Sequence, residues 1–162
     1  MVVEAPISKF KKNNLIIYIA ACLVFATIFL YDGYLSKYKW STRYSFYEEH
    51  VLQNDGKPDD TMVWNQKWLP IICGGFAVLF WAILLNTRNK KIVVDENELN
   101  INNKEKISLD SIQKIDKTHF KSKGFFVVTY KNENNNEINR KLSNRTYDNL
   151  EAILDKLVEK IS

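Results

Sequence analysis

The chain has 162 residues, 46% of them hydrophobic and 26% charged, with a net charge of +4. Taken as averages these values describe one ordinary soluble domain, but the apolar residues are not spread evenly. The small positive excess points to no nucleic acid: six basic residues flank two apolar runs, the other charges mix both signs, and no RNA- or DNA-binding motif accompanies them.

Residues 1–13 read as a cytoplasmic N-terminal tail ending in Lys9, Lys11 and Lys12. A charge-free run, NLIIYIAACLVFATIFLY, follows over 14–31, and a second, WLPIICGGFAVLFWAILL, opens the segment 68–86. Each is about the ~20-residue length that a helix needs to cross a hydrocarbon core of roughly 30 Å. Buried helices of a soluble protein would need far more apolar surface around them than the rest of the chain offers. The first run is longer than the apolar region of a signal peptide and ends in YDGY without a small-x-small cleavage pattern, so a retained anchor is expected.

Lysine and arginine are denser at the outer flanks, at Lys9, Lys11 and Lys12 and at Arg88, Lys90 and Lys91, than in the mixed-charge loop between the runs. Both termini are therefore expected in the cytoplasm, in a bacterial inner membrane, with the loop outside. The six flanking cations are candidate contacts for an anionic inner leaflet, each worth about 1 kcal/mol. Small residues along the runs, among them Ala20, Thr27, Gly74, Gly75 and Ala82, are expected to let the two helices pack closely on each other. Neither run carries an ionisable relay. Cys22 and Cys73 fall at different depths, which disfavours a disulfide.

The loop 32–67 is expected outside the membrane and partly helical, with LSKYKWSTRYSFYEEHVLQN as one amphipathic helix stopped by NDGKPDD. Its aromatics, Trp40, Tyr44, Tyr47 and Trp64, with Trp68 at the second span's entrance, suit either the bilayer interface or a partner-binding patch. Glu48, Glu49 and His50 read as solvated side chains.

From 87 to 162 the pattern changes to short strands. IVVDENELNIN reads as two, KEKISLDSIQKIDKTHF as two more, KGFFVVTYK as the strongest and EINRKL as the sixth. A helix then follows from Thr146 to Ile161, with Ser143 or Asn144 as its cap. The expected fold class is α+β: a two-helix transmembrane hairpin plus a small β-barrel-like domain closed by an amphipathic helix. From about Lys91 to Ile161, the opening IVVDENELNI, ISLDSIQKI, the strand GFFVVTY and the closing TYDNLEAILDKLV resemble the bacterial pleckstrin-homology-like families, small domains often found behind transmembrane hairpins.

In phosphoinositide-binding members of that fold, basic residues ring the first hairpin loop. Here the matching turn is Asp95-Glu96-Asn97-Glu98, which would repel phosphate. Lys121 and Lys123 mark the one basic turn, a weak candidate for ligand contact. With no nucleophile set, phosphate loop or metal cluster in the sequence, no cofactor and no catalysis are expected. The expected role is that of an accessory or scaffold subunit, with the lipid bilayer and a membrane-protein partner or a second copy as partners. The alternative is a membrane-surface sensor that binds lipid headgroups or a small ligand through the C-terminal domain.

Overall fold

A computed structural model describes residues 2–132 and 134–161. The chain divides into two compact units, one formed by Met1–Asn14 with Leu85–Ser162, the other by Leu15–Leu84. The first unit is therefore discontinuous, and the second is inserted into it.

The first unit begins with a strand where a tail was expected. β1 (Val3–Pro6) pairs antiparallel with β2 (Lys91–Val94), which pairs with β3 (Glu98–Ile101), and that with β4 (Glu105–Ser108). A short 3-10 turn, Leu109–Ser111, leads to the second antiparallel sheet, β5 (Ile112–Asp116), β6 (Phe125–Lys131) and β7 (Glu137–Ser143). The six strands read from the sequence are all present, and the N-terminus supplies a seventh. The sheets are separate four- and three-stranded layers, so the expected closed barrel is not formed.

Strict alternation explains the strands: β2 and β3 bury every second residue, and β6 buries Phe126, Val128 and Tyr130. A single helical turn, α5 (Phe120–Lys123), precedes β6 and ends at Gly124, whose φ of 68° is the left-handed value a helix stop favours.

The closing helix starts later than expected, at Leu150, and runs to Ile161 as α6. Ser143 and Asn144 do not cap it. The Ser143 carbonyl instead accepts the N–H groups of Thr146 and Tyr147, making a turn that holds Tyr147 against Ile7. From α6, Leu150, Ile153, Leu154 and Leu157 join a core with Ala5, Ile7, Ile92, Leu99, Ile107, Phe126 and Leu142.

α1 (Lys9–Leu30) starts in the first unit and continues in the second through a wide π-type segment, Tyr31–Leu35. A turn region leads to α2 (Tyr44–Tyr47), which widens over Glu48–Leu52. Next come α3 (Asp60–Val63), a wide segment Trp64–Trp68, and α4 (Leu69–Arg88). With their wide segments the two long helices run Lys9–Leu35 and Asp60–Arg88, each long and apolar enough to cross a membrane. Only 6% of the apolar window of each is buried.

Candidate functional site

Three separate surfaces are candidates, each taken within its own unit. The first is the set of helix ends inside the discontinuous unit. Ser8, fully buried, stops β1 and caps α1: its Oγ accepts the Lys11 N–H at 3.2 Å and donates to the Arg145 carbonyl at 3.0 Å. The Lys9 N–H donates to Asp148 Oδ2 at 3.0 Å, and the Ile7 N–H to the Lys90 carbonyl at 3.3 Å. Lys9, Lys11, Lys12, Arg88, Lys90 and Lys91 thus all belong to one unit, although 75 residues of chain or more part the two trios. Lys91 is engaged with Glu4 at 2.6 Å.

The second surface is the cap over residues 31–68. The expected single helix over 35–54 is broken, because side chains in it find tertiary partners. Arg43 grips Asp32 with two bonds, Nε to Oδ1 at 2.9 Å and Nη2 to Oδ2 at 2.8 Å. Asp32 is 4% exposed, and its carboxylate hydrogen bonds and charge raise the guanidinium pKa above its ordinary value. Ser36 and Ser41, also buried, hydrogen-bond to the Asp32 carbonyl and the Tyr31 hydroxyl.

His50 departs from the solvated reading. Its Nδ1 lies 2.7 Å from Asp59 Oδ2 and its ring packs on Phe46. Asp59 caps α3 by accepting the Met62 N–H at 2.9 Å. Desolvation pushes the Asp59 pKa up, but the hydrogen bonds from Met62 and His50 outweigh it and hold the carboxyl below its usual range.

Trp40, Trp64 and Trp68 are 68%, 48% and 54% exposed, whereas Tyr44 and Tyr47 are half-buried and touch each other. Trp64 and Trp68, one turn apart, are in ring contact, as are Tyr38 and Trp40.

Most of the residues expected to bring the helices together lie at exposed positions. Ala20, Thr27, Gly75 and Ala82 are exposed, and a Cβ added at Gly74 or Gly75 would meet nothing within 4 Å. Thr27 spends its hydroxyl on the Leu23 carbonyl of its own helix. Gly74 is half-buried, and the less exposed positions along the two helices also include Leu15, Ile19, Cys22, Ala26, Phe29 and Gly33 on the first, and Cys73, Ala77, Phe80 and Leu84 on the second. These recur at alternating steps of four and three, the spacing of a left-handed helix pair. Tyr18 touches Phe80 along it. Close approach occurs at the end joined by residues 31–68, where Gln66 Nε2 donates to the Gly33 carbonyl at 2.8 Å and a Cβ at Gly33 would lie 3.0 Å from Asn65 O and Gln66 Cα. The signal for this seam was a heptad of bulky and small residues together, which a search for small residues alone misses. Cys22 and Cys73 are both free thiols.

The third surface is the small domain's exterior. An open groove of about 630 Å³ runs beside β4 and the end of β6. Of its lining residues, Tyr130 donates to Glu105 Oε1 at 2.6 Å, and Arg140 pairs with Glu105 Oε2 at 2.8 Å. Burial and the neighbouring carboxylate push the Tyr130 pKa up to about 12. Lys121 and Lys123 are exposed on α5, away from the residues that line this groove. The acidic turn after β2 is ordered by Asp95, whose Oδ1 accepts the N–H groups of Asn97 and Glu98, so its carboxyl is held below the ordinary range. Among the described residues no three His, Cys, Asp or Glu side chains gather as a metal site.

Compared with protein-family models, curated proteins and solved structures, the chain matches none.

Proposed function

We propose that the protein is a non-catalytic accessory or scaffold subunit of a bacterial inner-membrane complex, anchored by α1 and α4 and presenting a pleckstrin-homology-like interaction domain to the cytoplasm. The observation that carries this reading is the exposed, charge-free apolar surface of the two long helices: Ile17, Val24, Ile71, Val78 and Leu85 are all half exposed or more. Water would penalise such a surface along the whole length of both helices, whereas lipid would not.

The insertion of the hairpin between β1 and β2 adds support. Pro6 stands opposite Lys91 in the sheet, so the chain enters and leaves the hairpin from one end of one strand pair. A strand on either flank of the hairpin, paired in one sheet, favours both termini on one side of the bilayer. The lysines and arginine at those flanks favour the cytoplasmic side. Six strands in the expected order followed by an amphipathic helix are what support the pleckstrin-homology-like reading. The exposed turn of Lys121 and Lys123 favours no second reading.

Alkaline extraction of membranes, together with labelling of single cysteines placed at Glu4, Lys57 and Asn139 in intact cells, tests the anchor. The expected result is retention in the membrane fraction, with only the Lys57 position labelled from outside. Release by alkali, or external labelling at Asn139, would overturn the reading. Native mass measurement in gentle detergent tests the scaffold role, for which a lone monomer would leave no support.

A further inference from the structure

The two sheets have unequal edges. At β1 the outward carbonyls are taken: Asn149 Nδ2 donates to Glu4 O at 3.0 Å and the Asp148 N–H to Pro6 O at 2.9 Å. At β4 the outward positions carry Lys106 and Ser108, on a strand of four residues with Lys104 at its start. Such lysines blunt an edge. β7 is different, with seven residues exposed along most of their length.

The register identifies which of its backbone groups are unused. The Asn144 N–H donates to the Gly124 carbonyl, so the hydrogen-bonded partners of β6 continue at Leu142, Arg140 and Ile138. The N–H and C=O groups of Glu137, Asn139 and Lys141 therefore point away from β6. All three residues are exposed.

Those three residues are complementary to themselves. In an antiparallel pairing of two copies of β7 about a two-fold axis at Asn139, Glu137 faces Lys141 of the second copy, Lys141 faces its Glu137, and the two Asn139 amides meet. The facing pairs are the hydrogen-bonding ones, so each of the three pairs exchanges two backbone bonds. Opposite charges directly across a strand pair stabilise it. Shifting the axis to Arg140 would place the two arginines opposite each other, and shifting it to Ile138 would part Glu137 from Lys141. Only the Asn139-centred register satisfies both backbone and charge.

Within the chain Lys141 Nζ lies over the Phe125 ring at 3.8 Å, and Glu137 is within reach of the Gln113 amide at 3.1 Å in that amide's satisfied orientation. Both contacts lie on the outward face of the sheet and lean toward β6 and β5, so pairing at the free edge requires each side chain to turn from its partner within the chain toward the second copy.

We propose that the β7 edge is a homodimer interface, joining two three-stranded sheets into one six-stranded sheet through Glu137, Asn139 and Lys141. The proposal deepens the reading of the domain as an interaction module and rests on it. Three residue pairs make a short interface, and anchorage supplies what it lacks, because two copies held in one membrane meet at a raised effective concentration.

The test uses full-length protein, differently tagged copies and co-purification in nanodiscs and mild detergent. Glu137→Lys and Lys141→Glu, each alone, are expected to weaken self-association about tenfold or more, since two attractive pairs become repulsive in each dimer. Mixing the two variants restores association, as does the double variant, because opposite charges face each other again. Asn139→Pro removes an N–H that the fold does not use and abolishes pairing with the thermal transition kept. A dimeric wild type that is indifferent to all of these substitutions would remove the β7 interface while leaving the scaffold reading intact. A wild type that is monomeric in nanodiscs would remove the interface itself, and alkaline extraction of the same sample reports separately on the anchor.

Discussion

The two units are built on opposite solutions to the same problem of placing apolar side chains. In the discontinuous unit Phe126, Leu99, Ile107 and Leu157 are buried within a few per cent of completely. In the inserted unit Leu15, Val51, Met62 and Ala77 are the buried apolar residues, while Ile71 and Val78 stand 67% and 64% exposed. One unit carries its own interior; the other leaves most of its apolar side chains exposed. The contrast explains where hydrogen bonds concentrate in the inserted unit. Its polar side chains gather in the cap over residues 31–68, in the Asp32–Arg43, His50–Asp59 and Gly33–Gln66 contacts.

The sharpest way to break the comparison is to separate the units. Joining Ser8 to Asn89 by a short Gly/Asn linker, in place of residues 9–88, should yield a soluble, cooperatively folding domain, because Ile7 and Lys90 already hydrogen-bond. The same fragment without residues 2–7 should lose roughly 3–5 kcal/mol, since Ala5 and Ile7 are fully buried and a sheet edge is uncovered. Urea unfolding of the two fragments reads the difference; equal stability would show that β1 is an accessory strand.

Within the inserted unit, Gly33→Ala is expected to cost about 1–3 kcal/mol, because its new methyl meets Asn65 and Gln66 backbone at 3.0 Å. Gly75→Ala should be neutral, since its methyl enters open space. Thermal unfolding in detergent compares them, and a costly Gly75→Ala would indicate that a partner helix covers that face. Arg43→Ala leaves the Asp32 carboxylate without its bidentate partner. As Arg43 is itself half exposed, a loss of about 1–2 kcal/mol is expected, read as faster hydrogen exchange across 31–43.

The smallest effect belongs to Tyr130. Its pKa is about 12 when folded against 10.0 in the free side chain, so folding favours the neutral phenol. That contribution is complete below about pH 10 and is lost as the pH rises toward 12. Tyr130→Phe in the spliced domain should flatten this part of the stability–pH curve; an unchanged slope between pH 10 and 12 would show that the phenol does not report on folding.

Much of this was legible in the sequence, and the limits have physical causes. The two apolar runs, the alternation of β6 and the three-four spacing of Leu150, Ile153, Leu154 and Leu157 are local patterns, and local patterns specify helices and strands by themselves. The loop helix was misjudged because Asp32 and Arg43 compete with helical geometry through a contact that periodicity does not encode. The exposed positions of Ala20, Thr27, Gly75 and Ala82 were not legible in the sequence, because small residues permit close approach without requiring it.

The sequence by itself thus determined the element types of the small domain and the two apolar helices. Only the tertiary structure decided that Val3–Pro6 is a strand, because a four-residue segment containing proline has no periodicity of its own and becomes one only when Lys91–Val94 comes beside it. The same holds for the β7 edge. Glu137, Asn139 and Lys141 are ordinary surface residues in the sequence, and the hydrogen-bond parity of the sheet is what leaves their backbone groups unpaired.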